Sequence, residues 1–158
     1  MMDHSAGSDV DVGETDDALE RKLCFDVYAT NLAFARVYAP LLEPHRLTYP
    51  QYLVLSLLWD TESRSMAEIG RSLHLRSNTL TPVLKRLESL GLLVRTRHVE
   101  DERRVEVNLT DDGRAMQSKL SDVPECVERA TGLAVGEMRT LQQALRRVRT
   151  ALMEHTPG

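Results

Sequence analysis

Several things are missing from this chain, and each absence removes a class of protein. No run of about 18 apolar residues occurs, so no membrane-spanning helix is expected. The first twenty residues contain no lysine or arginine and no apolar core segment, so they do not read as a secretory signal. Cysteine is scarce, with only Cys24 and Cys126. Without an export signal, that points to a reducing, cytoplasmic compartment, where thiols stay free unless they have a task. The five histidines and two cysteines show no ligand spacing, so neither a metal nor another cofactor is expected. There is no strand–helix alternation of the thioredoxin-like kind. Nor does an arginine or a helix N-terminus adjoin Cys24 to activate it for turnover. The chain is therefore read as a non-enzyme.

Charge is unevenly placed. The total is −4, which by itself argues against a nucleic-acid partner, but residues 1–20 hold seven of the acids. From Arg64 to Arg104 there are nine bases against five acids, a local +4, and binding to DNA depends on the local patch. Residues 1–15 are expected to form an acidic, flexible tail. The length of 158 residues suits one domain, expected over 16–158.

The most informative stretch runs from Ser65 to Gly91. Ser65 and Glu68 form a capping box that starts a helix with Ile69 and Leu73 on one face. His74, Leu75 and Arg76 make a short connection. Ser77 or Asn78 can cap a second helix, on which Leu80, Val83, Leu84, Leu87 and Leu90 form one stripe. Gly91 ends it, since glycine takes the left-handed conformation without strain. The outer face carries Ser77, Asn78, Thr79, Thr81, Lys85 and Arg86. Small polar residues at the tip, with cations a turn on, suit a helix whose N-terminus enters a major groove. Pro82 removes one helical N–H and is expected to bend the start of this helix.

A β-hairpin follows. Leu93 to Arg97 reads as one strand, and Val105, Val107 and Leu109 alternate with polar residues in a second. The turn Glu100-Asp101-Glu102 is bordered by Arg97, His98, Arg103 and Arg104. Arginines there suit a narrow minor groove, and Asp101 can hold the Arg103 guanidinium. Helix-turn-helix plus hairpin gives a winged helix over 65–110. Arg95 is placed with Lys85 and Arg86 as a phosphate contact.

The flanking helices are apolar beyond the needs of a small core. A helix is expected from Asp16 and Asp17 to about Tyr38 or Ala39, stopped by Pro40. It carries Leu19, Leu23, Val27, Phe34 and Tyr38 on more than one side. Thr48 and Gln51 form the next capping box, and Trp59, the only tryptophan, is expected to pack. After the wing, Thr110 caps a helix bearing Met116, Leu120, Val123 and Val127, with a kink expected at Pro124. The last helix has Met138, Leu141, Leu145, Val148 and Leu152 at coiled-coil spacing. Segments 16–45 and 111–154 are therefore read as dimerisation helices.

Cys24 is the one candidate for chemistry. Tyr28 shares its helical face one turn on. Tyr38 lies roughly 21 Å along the same helix, so Tyr38 and Tyr49 reach Cys24 only across a dimer, if at all. Phenols donating to sulfur would favour the thiolate, the form that attacks peroxide.

The helix-turn-helix, the Asp101-Glu102-Arg103 wing tip and Leu109-Thr110-Asp111-Asp112-Gly113 resemble the MarR family of winged-helix repressors. The resemblance covers about residues 20 to 153. It implies a mainly α fold of about six helices plus a hairpin wing, a homodimer through the terminal helices, and double-stranded operator DNA, a pseudo-palindrome, as partner. Cys24, Tyr28, Tyr38, Tyr49 and the segment Thr79-Leu80-Thr81-Pro82 are similar to the organic-hydroperoxide-sensing branch of that family. That resemblance implies oxidation of Cys24 by hydroperoxide to sulfenic acid and release of the operator. It implies partner-subunit tyrosines on the reduced sulfur, and makes Cys126 the candidate resolving thiol or else a buried bystander. The alternative is a regulator of the same fold released by a reversible phenolic or aromatic ligand.

Overall fold

The structure, a computed structural model, describes Leu19, residues 21–97 and residues 105–155. The tail over 1–15, the helix start at Asp16 and Asp17, and the wing-tip residues His98, Asp101, Arg103 and Arg104 lie outside the described residues. The chain divides into two compact units, one ending at Val37 and one beginning at Tyr38.

Helix α1 spans Leu23–Leu42 and α2 spans Tyr49–Trp59, joined by a short 3-10 turn over Glu43–His45. Strand β1 (Ser63–Ser65) leads into α3 (Met66–Leu73) and α4 (Ser77–Ser89). Strands β2 (Leu93–Arg97) and β3 (Val105–Leu109) follow, then α5 (Asp111–Lys119), α6 (Val123–Ala130) and α7 (Val135–His155). The fold is mainly helical, with seven α-helices and one three-stranded sheet among the described residues. None of these helices is long and apolar enough to cross a membrane.

Five sequence expectations need correction. The first helix does not run unbroken through Arg21 and Lys22: the Lys22 carbonyl accepts from Phe25 N–H at 2.9 Å and opens a new helix, so α1 begins at Leu23 and Cys24, against expectation, lies at a helix N-terminus. α1 does not stop before Pro40 but runs on to Leu42. Pro40 sits in the last turn, where its missing N–H removes one bond, while Leu42 is buried and Tyr38 stacks on Tyr49, so packing holds the turn helical. The helix after the wing is not kinked at Pro124. It ends at Lys119 and restarts at Val123, with Pro124 in the first turn of α6, where an N–H is not needed. Neither Ser77 nor Asn78 caps α4. Arg76 is the N-cap, with no side-chain bond, because burying Leu80, Leu84 and Leu87 sets where the helix begins. The hairpin is also joined by an unexpected third strand. β1 pairs antiparallel with β3, Arg64 opposite Val107, giving the order β1-β3-β2.

Caps explain most of the other boundaries. At α3 the Ser65 hydroxyl accepts from Glu68 N–H at 3.3 Å, and the Glu68 carboxylate accepts from Ser65 N–H at 2.8 Å. At α2 the Gln51 carbonyl accepts from Thr48 N–H at 2.9 Å. The core lies under the helix-turn-helix, where Leu55, Leu58, Ile69, Leu84, Leu87 and Val107 are sealed from solvent.

One junction fixes the wing to the recognition helix. Gly91, at φ 71°, turns the chain out of α4. The Thr110 hydroxyl donates to Gly91 O at 2.6 Å and accepts from Gly113 N–H at 3.0 Å, so one side chain caps α5 and anchors the end of α4. Thr110 N–H donates to Leu92 O at 3.1 Å. Gly113 packs so tightly on Leu92 that a Cβ there would stand 1.9 Å from the Leu92 carbonyl oxygen. From α2, Trp59 Nε1–H donates to Gly113 O at 2.9 Å.

A second tie is ionic. Arg95 of β2 grips Glu88 of α4, with Nη2 at 2.6 Å and Nε at 3.0 Å from Oε2. These hydrogen bonds outweigh the small opposing effect of burial and hold the Glu88 carboxyl below its usual range.

Two predictions follow from these ties. Gly113→Ala should lower stability by about 3 kcal/mol or more, because the methyl meets backbone rather than a flexible side chain. Urea unfolding measures it, and an unchanged midpoint would contradict the packing described. Glu88→Gln should cost only about 0.5 kcal/mol at neutral pH, since the pair is partly exposed. Because the folded carboxyl is the more acidic one, its contribution is present above the ordinary glutamate value of about 4.3 and fades as pH falls below it. Stability curves of wild type and Glu88→Gln should therefore converge in acid; a constant gap would speak against the ion pair.

Candidate nucleic-acid interface and thiol site

The outer face of α4 is built by exclusion. Leu80, Leu84 and Leu87 turn inward, and the helical period then leaves Ser77, Asn78, Thr79, Pro82, Lys85 and Arg86 exposed. Thr81 is half-buried and its hydroxyl donates to Ser77 O at 2.7 Å, a bond that satisfies the carbonyl next to the gap Pro82 leaves. Pro82 has no N–H to offer the Asn78 carbonyl four residues back. The tip of α4 thus offers small hydrogen-bonding groups, with two cations one turn behind them.

The remaining cations divide into two kinds. Arg97, at the end of β2, is exposed, as are Arg71 and Arg76 beside the turn. Arg95 is not held out to solvent: its guanidinium is turned onto Glu88. Sequence reasoning grouped Arg95 with Lys85 and Arg86 because all three are basic and close in sequence. The seven-residue return to Glu88 depends on the turn at Gly91 and carries no periodic signal. Asp101, Arg103 and Arg104 fall outside the described residues.

The thiols differ in setting. Cys24, in the first turn of α1, is exposed and free, and Tyr28 on the next turn is 60% exposed. Cys126, on α6, is half-buried and free. Arg129 Nη2 lies 3.5 Å from its sulfur, while Arg129 Nη1 pairs with Glu125 at 3.1 Å.

Tyr38 and Tyr49 are brought together within one chain, their ring centroids 4.1 Å apart. Two residues that sequence reasoning did not assign extend this cluster. Tyr52 lies 5.8 Å from Tyr38, and Trp59 meets Tyr52 edge-on at 6.0 Å. The spacing Tyr49, Tyr52, Trp59 at i, i+3 and i+10 keeps all three near one face of α2, which was the available signal. Burial, then the neighbouring Tyr49 and Tyr52, pushes the Tyr38 phenol well above its usual range. Burial raises Tyr52 as well.

Apolar side chains remain uncovered on both terminal helices. On α1 these are Leu23, Val27, Leu32 and Phe34; on α7 they are Leu141, Leu145, Val148 and Leu152. Each set is in the open at a helical spacing, and α7 buries no residue at all.

Comparison with known proteins bears on the same residues. Residues 36–120 match the family described as transcriptional regulator SarA/Rot. The chain is 48% identical over 135 residues to the HTH-type transcriptional regulator TtmR of Methylorubrum extorquens, covering 85% of this chain and 69% of that one. It is 42% identical over 127 residues to the organic hydroperoxide resistance transcriptional regulator of Bacillus subtilis, covering 80% and 86%. Among solved structures, reduced AbfR bound to DNA, a Staphylococcus epidermidis protein, matches with a TM-score of 0.73 at 34% identity, over 89% of this chain and 98% of that one. With a helix-turn-helix, a three-stranded wing sheet and relatives of this closeness over most of its length, the chain belongs to the winged-helix MarR/SarA-like family of DNA-binding transcriptional regulators.

Proposed function

We propose that this regulator is a homodimeric repressor that senses organic hydroperoxides through Cys24 and releases its operator when that thiol is oxidised. The observation that carries the reading is an exposed, free Cys24 in the first turn of α1, in a chain 42% identical to a hydroperoxide resistance regulator. The uncovered apolar faces of α1 and α7 support pairing with a second copy of the chain.

In the reduced dimer the two α4 helices enter successive major grooves, about one helical turn apart. Ser77, Asn78, Thr79, Thr81 and Pro82 meet base edges. Lys85, Arg86 and Arg97 meet phosphates, while Arg95 steadies the wing through Glu88, and Arg103 and Arg104 extend toward the flanking minor grooves. On exposure to hydroperoxide, the Cys24 thiolate attacks the terminal peroxide oxygen. The O–O bond breaks, the alcohol leaves, and sulfur is oxidised by two electrons to sulfenic acid. The Cys126 thiol of the partner subunit then attacks that sulfur, forming a disulfide and releasing water. Tyr28 of the same helix, and Tyr38 and Tyr49 of the partner subunit, donate to the reduced sulfur and lose that contact. Oxidation thereby biases the dimer between two arrangements with different operator affinity.

A second reading has its own observation. A cavity of about 580 Å³ beside the helix-turn-helix is lined by Met66, Leu80 and Met153, with the cations Arg71 and Arg76 and the imidazole of His74 at its wall. Apolar walls with cations suit an aromatic carboxylate acting as a reversible ligand.

Cys24→Ser should bind operator like wild type and stay bound in hydroperoxide, read by gel shift. Release of that variant by hydroperoxide would sink the sensor reading, and its release by an aromatic carboxylate would favour the second. Lys85→Ala and Arg86→Ala should each lower the slope of log affinity against log salt by about 0.9, one phosphate contact apiece. Arg95→Ala should change that slope less, because its charge is already paired within the chain.

A further inference from the structure

Trp59 takes no part in the reading above, yet it stands between two groups that do. On one side its ring meets Tyr52 edge-on, with centroids 6.0 Å apart and planes at 69°. Tyr52 in turn is 5.8 Å from Tyr38, which lies 4.1 Å from Tyr49. On the other side Trp59 Nε1–H donates to the Gly113 carbonyl at 2.9 Å, spanning 54 residues of sequence.

Neither end of this series can yield freely. Tyr52 is 7% exposed, so it has little empty space to move into when the Tyr38 ring beside it shifts. Aromatic pairs of this kind also favour edge and offset geometries over others. Gly113 is packed on Leu92 with no room for even a methyl group. Leu92 opens the path into β2, and Gly113 N–H is held by the Thr110 hydroxyl that anchors the end of α4. A displacement of Trp59 therefore bears on the base of both DNA-facing elements.

We propose that Trp59 is a positioning residue that links the tyrosine cluster to the common base of the recognition helix and the wing, so that the packing of Tyr38 and Tyr49 is read out as operator affinity. Only the cause of tyrosine movement, oxidation at Cys24, rests on the function proposed above. The link itself is a property of the reduced protein and is testable there.

The test is a double-mutant cycle on operator affinity, using a duplex selected by the wild-type protein from a random-sequence pool. Trp59→Phe keeps an aromatic ring but removes the N–H donor and part of the indole; Tyr38→Leu removes the ring contact. Far-UV circular dichroism and thermal midpoints establish that each variant is folded. Losing one hydrogen bond should weaken binding of reduced Trp59→Phe about fivefold. The double variant should bind no more weakly than the weaker single, because both changes cut one link. If the losses multiply, or Trp59→Phe binds like wild type, the proposal is overturned. A merely structural role would lower the thermal midpoints and leave the affinity losses independent.

Trp59 supplies a second readout, being the only tryptophan in the chain. Its emission should shift when hydroperoxide releases the wild-type protein from DNA, and should stay fixed in Cys24→Ser. Release with unchanged emission would overturn the link and leave the sensor reading standing. If hydroperoxide releases nothing, the sensor reading falls and the cycle still decides the link.

Discussion

The Thr110 hydroxyl is the contact on which the rest of the DNA-facing structure depends. It donates to the carbonyl that ends the recognition helix and accepts from the N–H that starts α5. An isolated hydrogen bond contributes only about 1 kcal/mol. This one acts where Gly91 must turn left-handed and where Gly113 has no room to retreat, so it fixes direction more than it adds stability. The Glu88–Arg95 pair repeats the same constraint one strand further on. Helix α4 and the wing sheet are thus tied to each other at their shared base, and a regulator built this way can present them to DNA as one body.

Electrostatics and exposure then divide the labour. The net charge of −4 conceals a basic patch, and within that patch the cations are not equal. Lys85, Arg86 and Arg97 face solvent, whereas Arg95 is committed to Glu88. The two thiols are likewise unequal: Cys24 is in the open, and Cys126 is half-buried beside Arg129. Such an arrangement fits a sensor in which one sulfur meets the oxidant and another arrives second, which is the order proposed for the two cysteines. The aromatic series from Tyr38 and Tyr49 through Tyr52 to Trp59 ends on the junction at Gly113. It gives a packing change somewhere definite to go.

Much of this was legible in the sequence because local chemistry dictated it. Ser65 with Glu68 and Thr48 with Gln51 are capping boxes whose partners sit three residues away, and both form. Val105, Val107 and Leu109 alternate, and they lie in a strand. What could not be read was set by distant partners. β1 is three polar residues with no period of its own, and it exists only because β3 pairs with it. α4 starts one or two residues before a cap at Ser77 or Asn78 would set it, because burial of its leucine stripe overrides their capping preference. Packing overrides the stop expected at Pro40, while Pro124 opens a new helix instead of kinking a continuous one, because the preceding helix has already ended at Lys119. In the candidate site, Cys24, Tyr38 and Tyr49 stood out by type, whereas the Arg95–Glu88 pair and the Trp59–Gly113 bond required the folded chain. Side chains 7 and 54 residues apart meet there for reasons no local pattern carries.

The central claim is that the state of one sulfur sets operator affinity. The most direct measurement titrates the wild-type protein with an organic hydroperoxide and follows two quantities on the same samples. One is operator affinity; the other is the fraction of Cys24 still a free thiol, read by mass spectrometry of labelled peptides. The account predicts that affinity falls in step with loss of the Cys24 thiol, complete near one equivalent per chain, and returns on reduction. Operator release while Cys24 remains a thiol, or full loss of that thiol with affinity unchanged, would contradict it.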